Sequence, residues 1–516
     1  QGYRLCHWRV AAEEINYRRF FDVNDLAAIR VEEPEVFAAV HELILETSLA
    51  SELHVLTTRL ARIAARQRLA RDFTFNSLEA ALAEVIACLP VYRSYLTPDA
   101  LPQRGDDRNR GAVLLALQEA RRRNPTQSRT LYDFIGTLLL TAPADGSGGE
   151  AHGDKHVDER AEDRAAVLMR FQQLSGPVMA KGVEDTALYR FFPLTALNDV
   201  GGAPDGFGVS VAELHRAAAE RRERWPDTML ATTTHDTKRS EDVRARISLL
   251  SEIPDQWRTA VERWSALNAR FKREGMPDRN MEYLCYQTLV GAWPAAMELP
   301  TQEFATRITQ YMNKAVKEKK VHSSWVNPNE PYDEAVSRFV HQTLLGTRAT
   351  PFLAAFLPFQ KMVAQRGMVH SLSQVVLKAT SPGIPDFYQG TEVWDLSLVD
   401  PDNRRPVDFA ALTTQLDAMH PLLASHDRRM MERGLGEMLE NWQDGRIKQF
   451  LTAAVLRFRR QFRTQFLRGS YIPLQTSGPQ GDAVVAFPGT LMTGRQWWCA
   501  RAGNCWEKGL IRRVLG

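Results

Sequence analysis

The stretch Thr228-Met-Leu-Ala-Thr-Thr-Thr-His235-Asp236-Thr-Lys238-Arg239-Ser-Glu241-Asp242-Val-Arg244 decides how this chain is read. Its first half, Thr228 to Thr234, is rich in β-branched residues and suits a strand buried between layers. The run stops at a His-Asp pair. After Thr237-Lys238-Arg239, Ser240 can cap a helix that carries Glu241 and Asp242 in its favourable first turn. Val243, Ile247 and Leu250 then recur on one face, and Pro254 closes the segment. Strand, polar tip and helix form the unit of a (β/α)8 barrel, in which the C-terminal ends of the strands carry the chemistry. Taken alone, a His-Asp pair is better explained as a turn cap with a locally bonded histidine. The cations Lys238, Arg239 and Arg244 crowd the same tip, and a barrel core has no need of them, so the functional reading is preferred.

The bulk properties exclude several classes. The 516 residues suffice for two to four domains and a large core. A net charge of +3, with arginine spread along the chain, implies neither a nucleic-acid partner nor a strongly acidic substrate. Five cysteines (Cys6, Cys88, Cys285, Cys499 and Cys505) are sparse and odd in number, and only Cys499 and Cys505 approach metal-ligand spacing, with no second pair to complete a site. No metal or cofactor is expected, and a reducing cytoplasm is the simplest compartment. No apolar run reaches the length of a membrane span, and no signal-peptide pattern is present. The first residue is Gln1 rather than Met, so a start inside a longer protein is expected.

Outward from the central stretch the chain alternates dense and sparse segments. Ile15 to Leu26 sets Arg18 and Arg19 among aromatics with Asp22, Asn24 and Asp25, which suits a sugar-contacting loop or a loop knitted by Arg–Asp pairs. A helix is expected from Glu35 to Glu46. Residues 49–96 carry two amphipathic stripes, Leu53, Leu56, Leu60 and Ile63, then Leu78, Leu82, Val85, Ile86 and Leu89, the second with Ser77 as cap and Pro90 as stop. Residues 141–163 read as a flexible insertion. In 170–202 the apolar run Pro177–Ala180 looks strand-like and delivers Lys181, Glu184 and Asp185, which either serve a site or pair with one another. Residues 255–345 read as mainly helical, and Lys314, Lys317, Lys319 and Lys320 read as a solvated face. Gly383–Trp394 reads as a strand and glycine turn, followed by an Asp-, Asn- and Arg-rich loop, Leu398–Asp408. From Ile447 a helix leads to a strand at Ala483–Phe487, while Arg495–Gly516 shows no strand alternation.

Taken together, Asn16–Val31, Arg170–Gly202, Thr228–Arg246, Glu282–Pro294, Lys314–Pro331, Gly383–Phe409 and Gly445–Phe487 closely resemble the malto-oligosyltrehalose synthases of the α-amylase superfamily. The resemblance implies an α/β fold with a (β/α)8-type barrel, here lacking several strands, with large helical insertions and a small C-terminal antiparallel β domain. In that scheme 1–46 is a barrel segment, 47–140 a helical insertion and 141–163 a flexible loop. Residues 164–465 are the remainder of the barrel, with a helical insertion near 255–345, and 466–516 are the β domain with an atypical tail. The implied reaction converts the reducing-end α-1,4 bond of a maltodextrin into an α,α-1,1 bond, leaving a trehalose unit. Such chemistry needs a carboxylate nucleophile and a carboxylic acid about 5 Å apart, and a closed pocket that retains the departing glucose.

By the same resemblance Asp236 is the third superfamily carboxylate and His235 bonds the same sugar. Lys181, Glu184 and Tyr189 shape the pocket for the released glucose, and Asp402 and Arg404 belong to a binding loop. One departure matters. Family members carry the nucleophile and acid strands between the stretches matching Glu35–Glu46 and Ser51–Leu69, which here are almost contiguous through Thr47-Ser48, so both strands are absent. Neither Asp22 and Asp25 nor Glu184 and Asp185 make a substitute pair. The barrel strands expected before Gln1 are absent too. The resemblance also implies a functional link to a malto-oligosyltrehalose trehalohydrolase. A glucan hydrolase of the same superfamily and a non-catalytic glucan-binding protein are the competing readings.

Overall fold

The structure is a computed structural model, and it describes residues 33–98, 106–140, 155–202, 208–477, 484–487, 489–490 and 499–502. Expectations for Ile15–Leu26, for Cys6 and Cys505 and for most of the tail lie outside those residues. The chain divides into two compact units, one of residues 30–191 and one of residues 1–29 with 192–516.

The first unit is helical. It contains α1 (Glu33–Glu46), α2 (Ala50–Ala65), α3 (Phe75–Ala87), α4 (Asp106–Arg123), α5 (Arg129–Leu140) and α6 (Lys155–Met179). Both leucine stripes face inward, because at a spacing of three and four residues they share one side of a helix. Leu53, Leu56, Leu60, Leu78, Leu82, Val85 and Ile86 are all buried in a core completed by Tyr132, Phe171 and Val178. The cap of α3 is Thr74, which accepts from the Ser77 N–H, rather than Ser77 itself. Between α1 and α2 the chain makes only a short turn, and among the described residues no strand lies between 33 and 98.

Two expectations are overturned here. The segment 141–163 is not loop throughout, since α6 begins at Lys155. The strand-like reading of Pro177–Ala180 fails as well: Phe171, Leu174 and Val178 repeat at helical spacing and are buried, so Pro177 lies inside α6. The chain widens just after it into a π turn, Ala180–Glu184, a common accommodation where the ladder is disturbed. Packing there is close. A Cβ added at Gly182 would stand 2.4 Å from His41 Cδ2, and buried His41 is anchored through Nδ1 to the Ala87 carbonyl at 3.0 Å.

The second unit continues with α7 (Val211–Arg224), β1 (Met229–Leu230), α8 (Glu241–Leu249), α9 (Pro254–Asn268), α10 (Arg279–Ala292), α11 (Gln302–Lys319), α12 (Glu330–Leu345) and α13 (Thr350–Thr380). Then follow β2 (Ile384–Pro385), α14 (Phe409–Ala424), α15 (Arg428–Glu440), α16 (Arg446–Gln461), α17 (Arg463–Arg468), β3 (Ser470–Tyr471), β4 (Val484–Phe487), β5 (Gly489–Thr490) and β6 (Cys499–Ala502). β1 and β2 pair in parallel, Met229 with Ile384 and Leu230 with Pro385. This is the barrel-like strand pairing that the described residues contain. Gly383 leads into it at φ +120°, and a Cβ there would lie 2.8 Å from the Thr228 carbonyl, so the close approach requires glycine.

The strand expected at Ala483–Phe487 is β4. It pairs antiparallel with β6, so part of the tail that shows no alternation in sequence is nonetheless a strand. β3 pairs antiparallel with β5. The lysines of α11 do not form a solvated face. Lys314 pairs with Asp400 in a loop at 2.7 Å, Lys317 with Asp333 in the first turn of α12 at 2.5 Å and Lys319 with Asp278 at the N-cap of α10 at 3.7 Å.

Candidate functional site

β1 leads through Thr232 and Thr233, both buried, to an exposed His235-Asp236 tip before the chain turns back inward at Thr237. The turn is self-bonded: Thr237 Oγ1 donates to the Thr234 carbonyl at 3.0 Å, and the Asp236 N–H donates to Thr234 Oγ1 at 3.2 Å. Among the described residues the Asp236 carboxylate takes no hydrogen bond or ion pair, so its oxygens are free to accept from a ligand.

Behind the tip the charge is structural. Lys238, Arg239 and Arg244 are buried, correcting the reading that placed them at the tip. The Lys238 N–H donates to Asp199 Oδ1 at 3.2 Å, and Arg244 pairs with Asp199 Oδ2 at 3.3 Å while donating to the Thr232 carbonyl. Arg239 donates to the Tyr311 hydroxyl at 2.5 Å. α8 is buried on nearly every side, so its polar residues had to find partners inside the protein.

The largest such group centres on Lys448, which is fully buried and spends all three of its donors. It reaches Glu241 Oε1 and Asp242 Oδ2, each at 2.8 Å, and the Val393 carbonyl at 3.2 Å. Lys378 donates to Thr232 Oγ1 at 2.7 Å, stands 3.5 Å from Glu241 Oε2 and lies 3.7 Å from the Phe387 ring centroid. Thr232 Oγ1 in turn donates to Glu241. Burial alone would raise the Glu241 carboxyl, but Lys378 and Lys448 hold it well below the usual carboxylate range. Asp242 is pushed up by burial and by the Glu241 charge, against the pull of Lys448. Burial would lower Lys448, but the two carboxylates keep its ammonium above the ordinary lysine value. Ser240 holds the N-cap position of α8, yet its hydroxyl donates to the Asp395 carbonyl instead of capping.

The loop Leu398–Asp408 flanks the tip. Asn403 Nδ2 donates to the His235 carbonyl at 3.0 Å and lies 3.4 Å from that of Thr234. Asp402 is fully engaged: both carboxylate oxygens accept from Arg307 Nε at 2.8 Å, and Oδ2 also accepts from the Leu398 N–H at 2.7 Å. It knits the loop. Arg404 is exposed beside it, and its charge acts with that of Lys314 to hold the Asp400 carboxyl below the usual range against the opposing effect of burial.

Lys181, Glu184 and Tyr189 lie in the helical unit. Lys181 is exposed and pairs with Asp185 at 2.6 Å, one turn away. Glu184 is buried and accepts from the Tyr92 hydroxyl, and Tyr189 is buried in a 3-10 turn, Ala187–Tyr189. The structure therefore brings His235, Asp236, Asp402 and Arg404 to one place, and Lys181, Glu184 and Tyr189 to another within their own unit. Asn403, Lys378 and Lys448 carry no sequence signal of their own. The one hint was lysine set among apolar helical neighbours, as in Val375-Val376-Leu377-Lys378. Among the described residues no three His, Cys, Asp or Glu side chains gather as metal ligands do. No described helix is long and apolar enough to cross a membrane.

The fold around the parallel β1–β2 pair and the exposed His-Asp tip is similar to that of solved carbohydrate enzymes of the α-amylase type. More narrowly, the chain is similar in sequence and in fold to proteins named as malto-oligosyltrehalose synthases. It is 37% identical over 320 residues to a protein of Mycobacterium tuberculosis named as a maltooligosyl trehalose synthase, a match spanning 62% of this chain and 37% of the relative. Its fold matches the maltooligosyltrehalose synthase of Arthrobacter ramosus with a TM-score of 0.72 and 31% identity, over 94% of this chain and 54% of the other. A hypothetical maltooligosyl trehalose synthase of Sulfolobus tokodaii matches with a TM-score of 0.68 and 26% identity, over 94% and 55%. No family model matches. The chain thus spans about half the length of the solved relatives.

Proposed function

We propose that this chain holds the reducing end of an α-1,4-glucan in the manner of a malto-oligosyltrehalose synthase, and serves the isomerisation of that end to an α,α-1,1 linkage. The observation that carries the reading is the Asp236 carboxylate, exposed and unpaired among the described residues, on a tip whose root is fixed by buried ion pairs. A carboxylate in that state grips ring hydroxyls as charge-assisted acceptors, and His235 beside it bonds the same sugar. Arg404 supplies a donor from the flanking loop, while Asp402 sets that loop's shape. By resemblance Lys181, Glu184 and Tyr189, within the helical unit, are assigned to the released glucose.

The family reaction passes through a glycosyl-enzyme intermediate. One carboxylate attacks the anomeric carbon while a carboxylic acid protonates the departing sugar oxygen. The released glucose then attacks through its own anomeric hydroxyl, returning a proton to the same acid. The tip contributes the third carboxylate. The helix–turn–helix of α1 and α2 occupies the place where the resemblance puts the strands bearing the other two. We therefore propose that the chain by itself binds the glucan without turning it over, which favours the glucan-binding reading over a hydrolase. Maltopentaose should bind in calorimetry and cellopentaose should not, with no trehalosyl product and no new reducing sugar on incubation. Appreciable non-reducing trehalosyl product would refute the inactivity, and equal binding of both sugars would refute the α-1,4 reading.

A further inference from the structure

We propose that Asn403 is the positioning residue of the tip: its side-chain amide, by gripping the backbone carbonyls of Thr234 and His235, sets the direction in which His235 and Asp236 face a glucan. The proposal rests on the glucan-binding reading of that tip. The root of the tip is fixed at Thr232 and Thr233, but those contacts stop two residues short of His235. Beyond them, the outward-facing backbone is held by its own threonine turn and by Asn403. The turn is local, so it fixes the shape of the tip rather than its direction. Past the tip the Lys238 N–H is held by Asp199 Oδ1, and among the described residues Asn403 is the distant side chain that reaches the Thr234 and His235 carbonyls themselves.

The loop that carries Asn403 is rigid. Arg307 and Lys314 are seven residues apart on α11, two turns along one face, and they hold the loop at Asp402 and Asp400 respectively, Asp402 by two contacts of 2.8 Å and Asp400 at 2.7 Å. The Tyr388 hydroxyl donates to the Asn403 carbonyl at 3.2 Å and braces the residue from below. A line of contacts therefore runs from α11 through the loop to the His235 carbonyl.

The chemistry of Asn403 fits positioning better than stability. It is 7% exposed, and its Oδ1 is buried without a hydrogen-bond partner. A buried orphan acceptor is destabilising, so a residue kept for packing would have no amide oxygen there. What the amide adds is a donor aimed at the carbonyls beside the two ligand-facing side chains. An aspartate has the same shape but would set an oxygen against those carbonyls.

The test uses the full chain with Asn403→Asp and Asn403→Ala, the latter serving where the former fails to fold. Maltopentaose affinity by calorimetry should fall roughly 3- to 30-fold, the range of one neutral hydrogen bond and its loss. In an Asp236→Asn background the same change should cost less than about twofold, because the carboxylate whose direction Asn403 sets is already gone. Hydrogen exchange of the peptide spanning 232–238 should quicken in both variants without ligand. Unchanged affinity, an equal loss in both backgrounds, or unchanged exchange at 232–238 would each overturn the assignment. If the native chain does not bind maltopentaose, the glucan reading fails, and the exchange measurement still decides whether Asn403 holds the tip.

Discussion

Replacing Lys448 by methionine removes one charge from a site with no water to compensate it. The ammonium is fully buried and lies 2.8 Å from both Glu241 and Asp242. Methionine fills the stem's volume, so the effect is electrostatic rather than a cavity. Breaking a buried pair by removing one partner costs about 3–5 kcal/mol, since the remaining charge stays desolvated. Glu241 keeps Lys378 at 3.5 Å, which leaves Asp242 as the stranded group. The loss should therefore be partly recovered in the double variant Asp242→Asn with Lys448→Met, by at least half. The pH dependence follows. Without Lys448 the Asp242 carboxyl, already raised by burial, has a folded pKa above its unfolded value, so the variant should gain stability as pH falls through that value. The assay is favourable because the seven tryptophans among the described residues all lie in the unit containing the cluster and none lies in residues 30–191, so tryptophan fluorescence in urea follows that unit. A Lys448→Met chain within about 0.5 kcal/mol of native stability, or one that the double change fails to rescue, would refute the cluster as the anchor of the tip.

Other changes have equally definite outcomes. Asp236→Asn and His235→Ala should weaken maltopentaose binding while leaving the unfolding free energy in urea within about 0.5 kcal/mol of native, because both side chains are exposed; calorimetry and fluorescence separate the two. Gly182→Ala should destabilise the helical unit by about 1–3 kcal/mol, since its Cβ would lie 2.4 Å from a buried ring, as read by far-ultraviolet circular dichroism. His41 is lowered by burial and by Arg123, against its bond to the Ala87 carbonyl. The unfolded chain then takes up the proton first, so stability contributed by neutral His41 is full above about pH 6.5 and falls as pH drops below it. A His41→Gln chain should show a flatter slope of stability between about pH 7 and 5.

What the sequence made legible was local. The exposed tip and the helix around His235 follow from a polar break and an acidic first turn, and both are present, whereas the strand expected over Thr228–Thr234 shrinks to Met229–Leu230, with Met229 exposed and the threonines beyond it. The leucine stripes fixed the inner faces of α2 and α3 for the same reason of periodicity. Distant pairing was not legible. Lys238, Arg239 and Arg244 looked like tip residues because their partners, Asp199 and Tyr311, lie 39 or more residues away. Asp402 could have bonded sugar or its own loop, and only the fold brings Arg307 to it. The apolar run Pro177–Ala180 looked strand-like, whereas burial of the helical stripe around it carried α6 through Pro177. Cys499–Ala502 lacks alternation, yet becomes a strand because β4 offers an edge to pair with.

The account stands on Asp236 meeting sugar, and a crystal structure of the chain grown with maltopentaose measures that directly. It should show a glucose unit at the tip with a hydroxyl within about 3 Å of the Asp236 carboxylate and His235 in contact with the same ring. Sugar bound elsewhere with the tip unoccupied, or a ring at the tip that neither residue touches, would contradict it.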